Sequence, residues 1–259
     1  MKKKYIIIGA CVVFAVILIL FGTKALAPTP EVPFPTTPVS TAPEHISIED
    51  FEDPECNFRY ILTTPKNARE NMPLIVYLHG ENGKGNNPNA LLQLPGFPKA
   101  HVFGELAQID AYVLIPQLPA DENAWHVVMP ALIKLIDQVA EETKADTAKI
   151  ALTGHGMGGT GAWRLAATYP DKFSCVVPIS GSIPNMEMNR IALKDMPIRA
   201  FAGDGDTIPP SSYTTEFVAA LSGTNPNCTA TILAGHTQET TWDVYKSKEY
   251  DIFQWMISQ

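Results

Sequence analysis

The chain has 259 residues, 46% of them hydrophobic, with 19 Lys and Arg against 27 Asp and Glu and a formal charge of −8. Four of those lysines fall within the first 24 residues; setting them aside leaves 15 basic residues against 27 acidic ones, a balance of −12. A surface of that sign repels nucleic acid and anionic headgroups, so no nucleic-acid partner is expected.

Residues 1–27 read as a membrane anchor or signal segment. Lys2, Lys3 and Lys4 precede an unbroken apolar run, Tyr5 to Gly22, of 18 residues. That length is near the lower limit for crossing a bilayer, about 17 to 25 residues. The lysines in front predict a cytoplasmic N-terminus and a domain held outside the cytoplasm. Two alternatives stay open. Ala25-Leu26-Ala27 resembles a cleavage site, although Pro28 follows directly, and cleavage there makes the protein secreted. Ile8-Gly9-Ala10-Cys11 loosely resembles a lipidation signal, although the apolar run continues past the cysteine. Residues 28–45 form a linker. Pro28 to Pro43 holds six prolines and five threonines or serines, a composition that gives an extended, semi-rigid spacer.

Residues 46–259 remain for one sizeable domain. Strand-like and helix-like runs alternate along it. Asn57 to Thr63 and Leu74 to Leu78 read as strands, and Val102 to Ile109 suggests a helix. Tyr112 to Ile115 reads as a strand ending at Pro116. Trp125 to Thr143 carries Leu132, Leu135, Ile136 and Val139 at helical spacing, with Asn123 as its N-cap. Ile150 to Thr153 is a strand, and Met157 to Tyr169 a helix stopped by Pro170. Phe173 to Ile179 and Ile198 to Ala202 are further strands. Pro210 to Leu221 reads as helix, Thr229 to Leu233 as strand and Trp242 to Ile257 as a last helix. Alternation of this kind with fully apolar strands predicts a mostly parallel sheet with helices on both faces. In such sheets function gathers at the carboxyl ends of the strands.

Cysteine spacing supports neither a disulfide framework nor a zinc site, and no metal or other cofactor is expected. Cys11 falls in the apolar run; Cys56, Cys175 and Cys228 are widely separated, and Cys175 reads as a small core residue.

The chemically informative segment is Leu152-Thr-Gly-His-Gly-Met-Gly-Gly159. A strand runs into a glycine-dense turn and then a helix, the layout of a G-x-S-x-G nucleophile elbow. Here the five residues are Gly154-His155-Gly156-Met157-Gly158, and the central one has no side chain. Other segments end strands at the same edge: Leu78-His79-Gly80, Gly203-Asp-Gly-Asp206 and Gly235-His236. The chain order is elbow, acid, histidine. With Pro116-Gln117, Trp125, Tyr169-Pro170 and Pro178-Ile-Ser-Gly181, these pieces resemble the α/β-hydrolase superfamily. They are most similar to its small carboxylesterase group, which includes phospholipase/carboxylesterase, feruloyl esterase and polyhydroxybutyrate depolymerase-like proteins.

That resemblance implies an α/β-hydrolase fold and assigns roles. Asp206 matches the triad acid, in competition with Asp204, and His236 the triad base. The N–H of Met157 matches one oxyanion donor, and that of Glu81, just after His79-Gly80, the second. Gly156 matches the nucleophile and departs from the pattern. His79, His155 and Trp125 are candidates for the cleft wall, with the alternative that His79 braces the oxyanion loop and Trp125 packs at a helix start. The implied ligand is a small ester or an acylated glycan.

The glycine carries a physical consequence. An elbow residue is held in a strained backbone conformation that costs about 1–3 kcal/mol for a non-glycine and that glycine adopts without penalty. Ser→Gly therefore removes the atom that forms an acyl-enzyme while easing the turn. A pseudo-hydrolase that binds its ligand is the first expectation. The alternatives are a slow hydrolase that uses water, a serine esterase whose nucleophile was lost by engineering or sequence error, and a scaffold with a vestigial cleft.

Overall fold

Eight strands form one sheet in a computed structural model that describes residues 41–183 and 186–259. The apolar run from Tyr5 to Gly22, Cys11 and the spacer up to residue 40 lie outside the described residues. Among the described residues no helix is long and apolar enough to cross a membrane. In chain order the strands are β1 (His45–Phe51), β2 (Phe58–Thr64), β3 (Leu74–Leu78), β4 (Tyr112–Gln117), β5 (Ile150–His155), β6 (Cys175–Ile179), β7 (Ile198–Gly203) and β8 (Cys228–Leu233). Their spatial order is β1-β2-β4-β3-β5-β6-β7-β8. β1 and β2 pair antiparallel with each other, and β2 pairs antiparallel with β4. From β4 onward every pairing is parallel.

The helices are α1 (Phe97–Val102), α2 (Met129–Thr143), α3 (Met157–Thr168), α4 (Met186–Ala192), α5 (Ser211–Ser222) and α6 (Ile252–Ile257). Side chains alternate between two cores, as the two-residue period of a strand requires. Leu74, Val76 and Leu78 join Leu132, Leu135 and Val139 of α2, Trp163 of α3 and Phe217 of α5 on one face. Ile75 and Tyr77 join Phe97 of α1 and Phe253 and Met256 of α6 on the other. The α/β-hydrolase architecture, a mostly parallel sheet covered on both faces, is thus the one its sequence predicts.

Four local expectations need correction. The helix expected at Val102–Ile109 lies earlier, at Phe97–Val102; Gly104 breaks it with φ +70, and Pro98 in its first turn lacks an N–H that would be unpaired there anyway. Asn123 caps nothing: Trp125–Val127 is a separate 3-10 turn, and α2 starts after Val128 with Pro130 in its first turn. β4 does not stop at Pro116 but continues through it to Gln117. Finally, Trp242–Ile257 is not one helix. A 3-10 segment covers Thr241–Lys246, and α6 begins only after Asp251 turns left-handed at φ 39. At the other end, β1 starts at His45, the last residue of the proline-rich segment, and Ala42 before it is buried.

Candidate active site

The turn between β5 and α3 has the backbone of an elbow. Gly156 sits at φ 59 and ψ −118, in the positive-φ region that penalises a side chain. Its N–H bonds the Ile179 carbonyl at 2.9 Å, and its carbonyl accepts from Thr160 N–H at 3.0 Å to start the helix. The glycines that follow let α3 press on the sheet. A Cβ on Gly158 would lie 1.8 Å from the Leu78 carbonyl oxygen, closer than any contact allows. The sharp turn and the close approach are both properties of the backbone, so both persist without a serine.

Facing this turn is the loop after β3. Gly80 is extended, and a 3-10 turn runs from Glu81 to Gly83. A Cβ on Gly156 would lie 4.0 Å from Gly80 Cα, so the two N–H groups assigned by resemblance, those of Met157 and Glu81, begin helical segments at neighbouring positions. Each is a helix-start donor with no acceptor inside its own segment. The loop is braced by His79. Its Nε2 accepts from Leu118 N–H at 3.0 Å. Its Nδ1, which therefore carries the proton, donates to the Gly80 carbonyl at 2.7 Å. Burial drives its pKa down to about 4, which keeps that tautomer neutral. Trp125 is buried behind it rather than on the cleft wall. Its Nε1–H donates to the His79 carbonyl at 3.0 Å, and its ring meets the His79 ring edge-on at 5.0 Å.

The cleft between these loops has a volume of about 380 Å³. Gly156, Met157, His79, His155 and Glu81 line it, with Leu91, Leu94 and Trp242 as the apolar wall. Gln238 and Glu239 form a polar rim. His155 Nε2 lies 3.0 Å from Thr241 Oγ1, which in turn lies 2.7 Å from Ser180 Oγ. Burial lowers the His155 pKa, against opposing pulls from the Gln238 carbonyl and the Asp206 and Glu239 carboxylates.

Asp206 and His236 each lie three residues past the end of neighbouring strands, β7 and β8. Gly205 N–H bonds the His236 carbonyl at 2.9 Å, and a Cβ on Gly203 would touch both His236 O and Asp206 Oδ1. The two side chains nonetheless do not bond each other. Asp206 Oδ2 accepts from Gly203 N–H at 3.0 Å, and its buried Oδ1 has no partner. His236 Nδ1 lies 3.0 Å from the Ala234 carbonyl, and the ring does not line the cleft. Asp204, the rival acid, instead accepts from Gly235 N–H at 2.9 Å, a turn-forming role. Sequence reasoning missed Gln238, Glu239, Trp242 and the Ser180–Thr241 pair. Gln238 and Glu239 lie in a turn without a recognisable spacing, and Trp242 stands at the start of a 3-10 segment rather than of the long helix its surroundings suggest. Ser180, buried at φ 49 at the end of β6, had a signal in Pro178-Ile-Ser-Gly181 that was not connected to the cleft.

A mostly parallel sheet with a sharp strand–turn–helix after β5 and a glycine-containing loop facing it after β3 has the architecture of an α/β hydrolase. Residues 109–245 match the Phospholipase/Carboxylesterase family, and the chain belongs to it. It is 30% identical over 129 residues to the iron(III) enterobactin esterase of Escherichia coli, which covers 48% of this chain and 32% of that one. It is 23% identical over 147 residues to feruloyl esterase B of Thermothelomyces thermophilus, covering 52% and 47%. Acetylxylan esterase A of Aspergillus oryzae is 24% identical over 147 residues, covering 52% and 45%. The chain spans less than half the length of each of these relatives. Among solved structures, a thermostable esterase aligns with a TM-score of 0.68 at 24% identity, over 83% of this chain and 63% of that one. The feruloyl esterase module from Clostridium thermocellum complexed with sinapinate aligns at 0.63 and 14%, over 81% and 88%. These two share the fold.

Proposed function

We propose that this chain is an exported, membrane-tethered carboxylesterase-fold protein whose cleft binds a small ester or acylated glycan without covalent catalysis. The observation that carries the proposal is Gly156 at the nucleophile position of an otherwise complete elbow. Acyl transfer needs an oxygen or sulfur nucleophile within reach of a base, and this turn offers neither. The cleft suits the ligand class: Leu91, Leu94 and Trp242 receive an acyl or aromatic group, while Gln238 and Glu239 meet a polar one. The feruloyl and acetylxylan esterase relatives support the same class. For the tether, the support is Lys2–Lys4, the apolar run and the proline-rich spacer.

The deciding experiment is reaction with a fluorophosphonate probe and pre-steady-state hydrolysis of an aryl ester. The native chain is expected to show no labelling and no burst. Covalent labelling of the native chain overturns the proposal. For the tether, protease shaving of intact cells should remove the domain; full-length protein in the cytoplasmic fraction refutes it.

A second reading has its own observation. The buried, unpartnered Asp206 Oδ1 beside the His236 backbone leaves a carboxylate able to orient that histidine once the loop adjusts. A water held over Gly156 would then serve as the nucleophile. Slow turnover without labelling, abolished by His236→Ala, supports that reading.

A further inference from the structure

Gln238 stands two residues past His236 in a loop that no motif marks. The loop backbone is held tightly. Thr240 and Thr241 N–H groups both bond the Thr237 carbonyl, at 2.8 and 2.9 Å. Thr237 N–H donates to Thr240 Oγ1 at 3.0 Å. From below, Thr241 Oγ1 is within hydrogen-bond distance of both Ser180 Oγ and His155 Nε2, and Thr241 is fully buried. With the backbone fixed, the Gln238 side chain projects onto the elbow. A Cβ on Gly156 would lie 3.3 Å from Gln238 Nε2, inside ordinary van der Waals distance. A hydroxyl rotated toward that side needs still more of that space. Gln238 also lines the cleft, whereas His236 does not.

We infer that Gln238 is a stopper: its amide fills the volume that a nucleophile at position 156 and its approaching base both require. The cleft is then closed to acyl transfer by two residues, Gly156 and Gln238, rather than one. A general base must come within about 2.6–3.2 Å of the hydroxyl it activates, and on this reading the Gln238 amide, beside the position of a Gly156 Cβ, competes with the base for that contact. The inference rests on the reading of this cleft as a silenced esterase site. It makes Gln238 a positioning residue, acting through its exclusion of other groups and not through contact with a reacting atom.

The test compares full-length native protein with Gly156→Ser, Gly156→Ser/Gln238→Ala and Gly156→Ser/Gln238→Met, each checked for native near-ultraviolet dichroism. The readout is the second-order rate of labelling by a fluorophosphonate probe. The serine variant should label slowly, and adding Gln238→Ala should raise the rate at least about tenfold, or about 1.4 kcal/mol in barrier. Gln238→Met keeps the length of the side chain and should leave the rate within about threefold of the single variant. Equal rates for the single variant and the alanine double variant overturn the inference. So does a methionine double variant as fast as the alanine one, or a complete absence of labelling in all three serine variants. Labelling of the native chain is a separate outcome: it refutes the silenced-cleft reading itself, because it requires no serine at position 156.

Discussion

The elbow and the loops that carry Asp206 and His236 lack opposite things. At the elbow the backbone is complete: the positive φ of Gly156, the helix start at Met157 and the tight seat of Gly158 on β3 are all present, and only the side chain is missing. At the ends of β7 and β8 the side chains are present and the geometry is not assembled, since Asp206 bonds Gly203 and His236 turns to Ala234. A backbone turn is held by sheet register and helix packing, which the whole core supports. A hydrogen bond between two loop side chains is held by little besides its own partners and the substrate-facing loops around it. An elbow can therefore keep its backbone without a side chain at its centre, while the second region is free to relax.

The largest effect should come from returning the side chain to the elbow. Gly156→Ser is expected to introduce slow labelling and turnover, with a further gain when Gln238 is also removed, both within the roughly 10⁶ range in kcat that removal of a triad nucleophile can cost. Its stability should fall by about 1–3 kcal/mol because serine enters the φ 59 conformation. In the serine background, His236→Ala should abolish the gain, as measured by aryl-ester turnover. A serine variant that gains activity without needing His236 breaks the comparison, because the loops would then carry no latent chemistry.

Next in size is the elbow's backbone. Gly158→Ala drives a methyl group into the Leu78 carbonyl and should cost about 3 kcal/mol or more in chemical denaturation. Gly223→Ala is the control. It follows α5, has nothing within 4 Å of its added Cβ, and should be neutral. Equal losses at the two positions would show that the helix does not depend on its close seat.

Acid should separate the regions by a somewhat smaller margin. His79 is neutral behind the elbow-facing loop, and His101 is buried against Thr63 and Phe97; burial lowers both to about 4 from an ordinary 6.5. The unfolded chain thus binds more protons between those values. Stability is full above about pH 6.5 and declines as pH falls toward 4, with a slope of up to about 1.4 kcal/mol per unit for each histidine. Denaturant midpoints across that window measure it. His79→Gln should remove the His79 share of the slope and leave that of the other buried histidines, and a slope unchanged by that substitution would mean that His79 is already protonated in the fold.

The smallest expected effect is at the brace. Trp125→Phe keeps most of the packing but removes the donor to the His79 carbonyl, which should cost about 1–3 kcal/mol, the penalty for leaving a buried acceptor unpaired. Thermal unfolding provides the measurement. In the Gly156→Ser background the same change should slow labelling, since the loop carrying the Glu81 N–H would be less firmly held. No change in either would place the rigidity of that loop in His79 alone.

Much of the molecule was legible in the chain because it depends on local pattern. The apolar runs at Leu74–Leu78, Ile150–Thr153 and Cys175–Ile179 are strands because residues buried on both faces leave no polar alternation. Gly154-His-Gly-Met-Gly158 announced the elbow because a sharp turn under a closely packed helix admits little besides glycine. The residues around these patterns were less legible. Phe97–Val102 was missed as a helix because six residues carry little periodicity, and the continuous helix expected from Trp242 is broken by the left-handed Asp251. The sequence by itself determined the class of fold, the absence of a nucleophile and the order of acid and histidine. Only the tertiary structure decided which side chains meet the empty position. Gln238 reaches Gly156 across 82 residues of chain because the Thr241–Ser180 and Thr241–His155 contacts pin its loop to the ends of two other strands, and no spacing within a sequence encodes a contact that the sheet alone brings together.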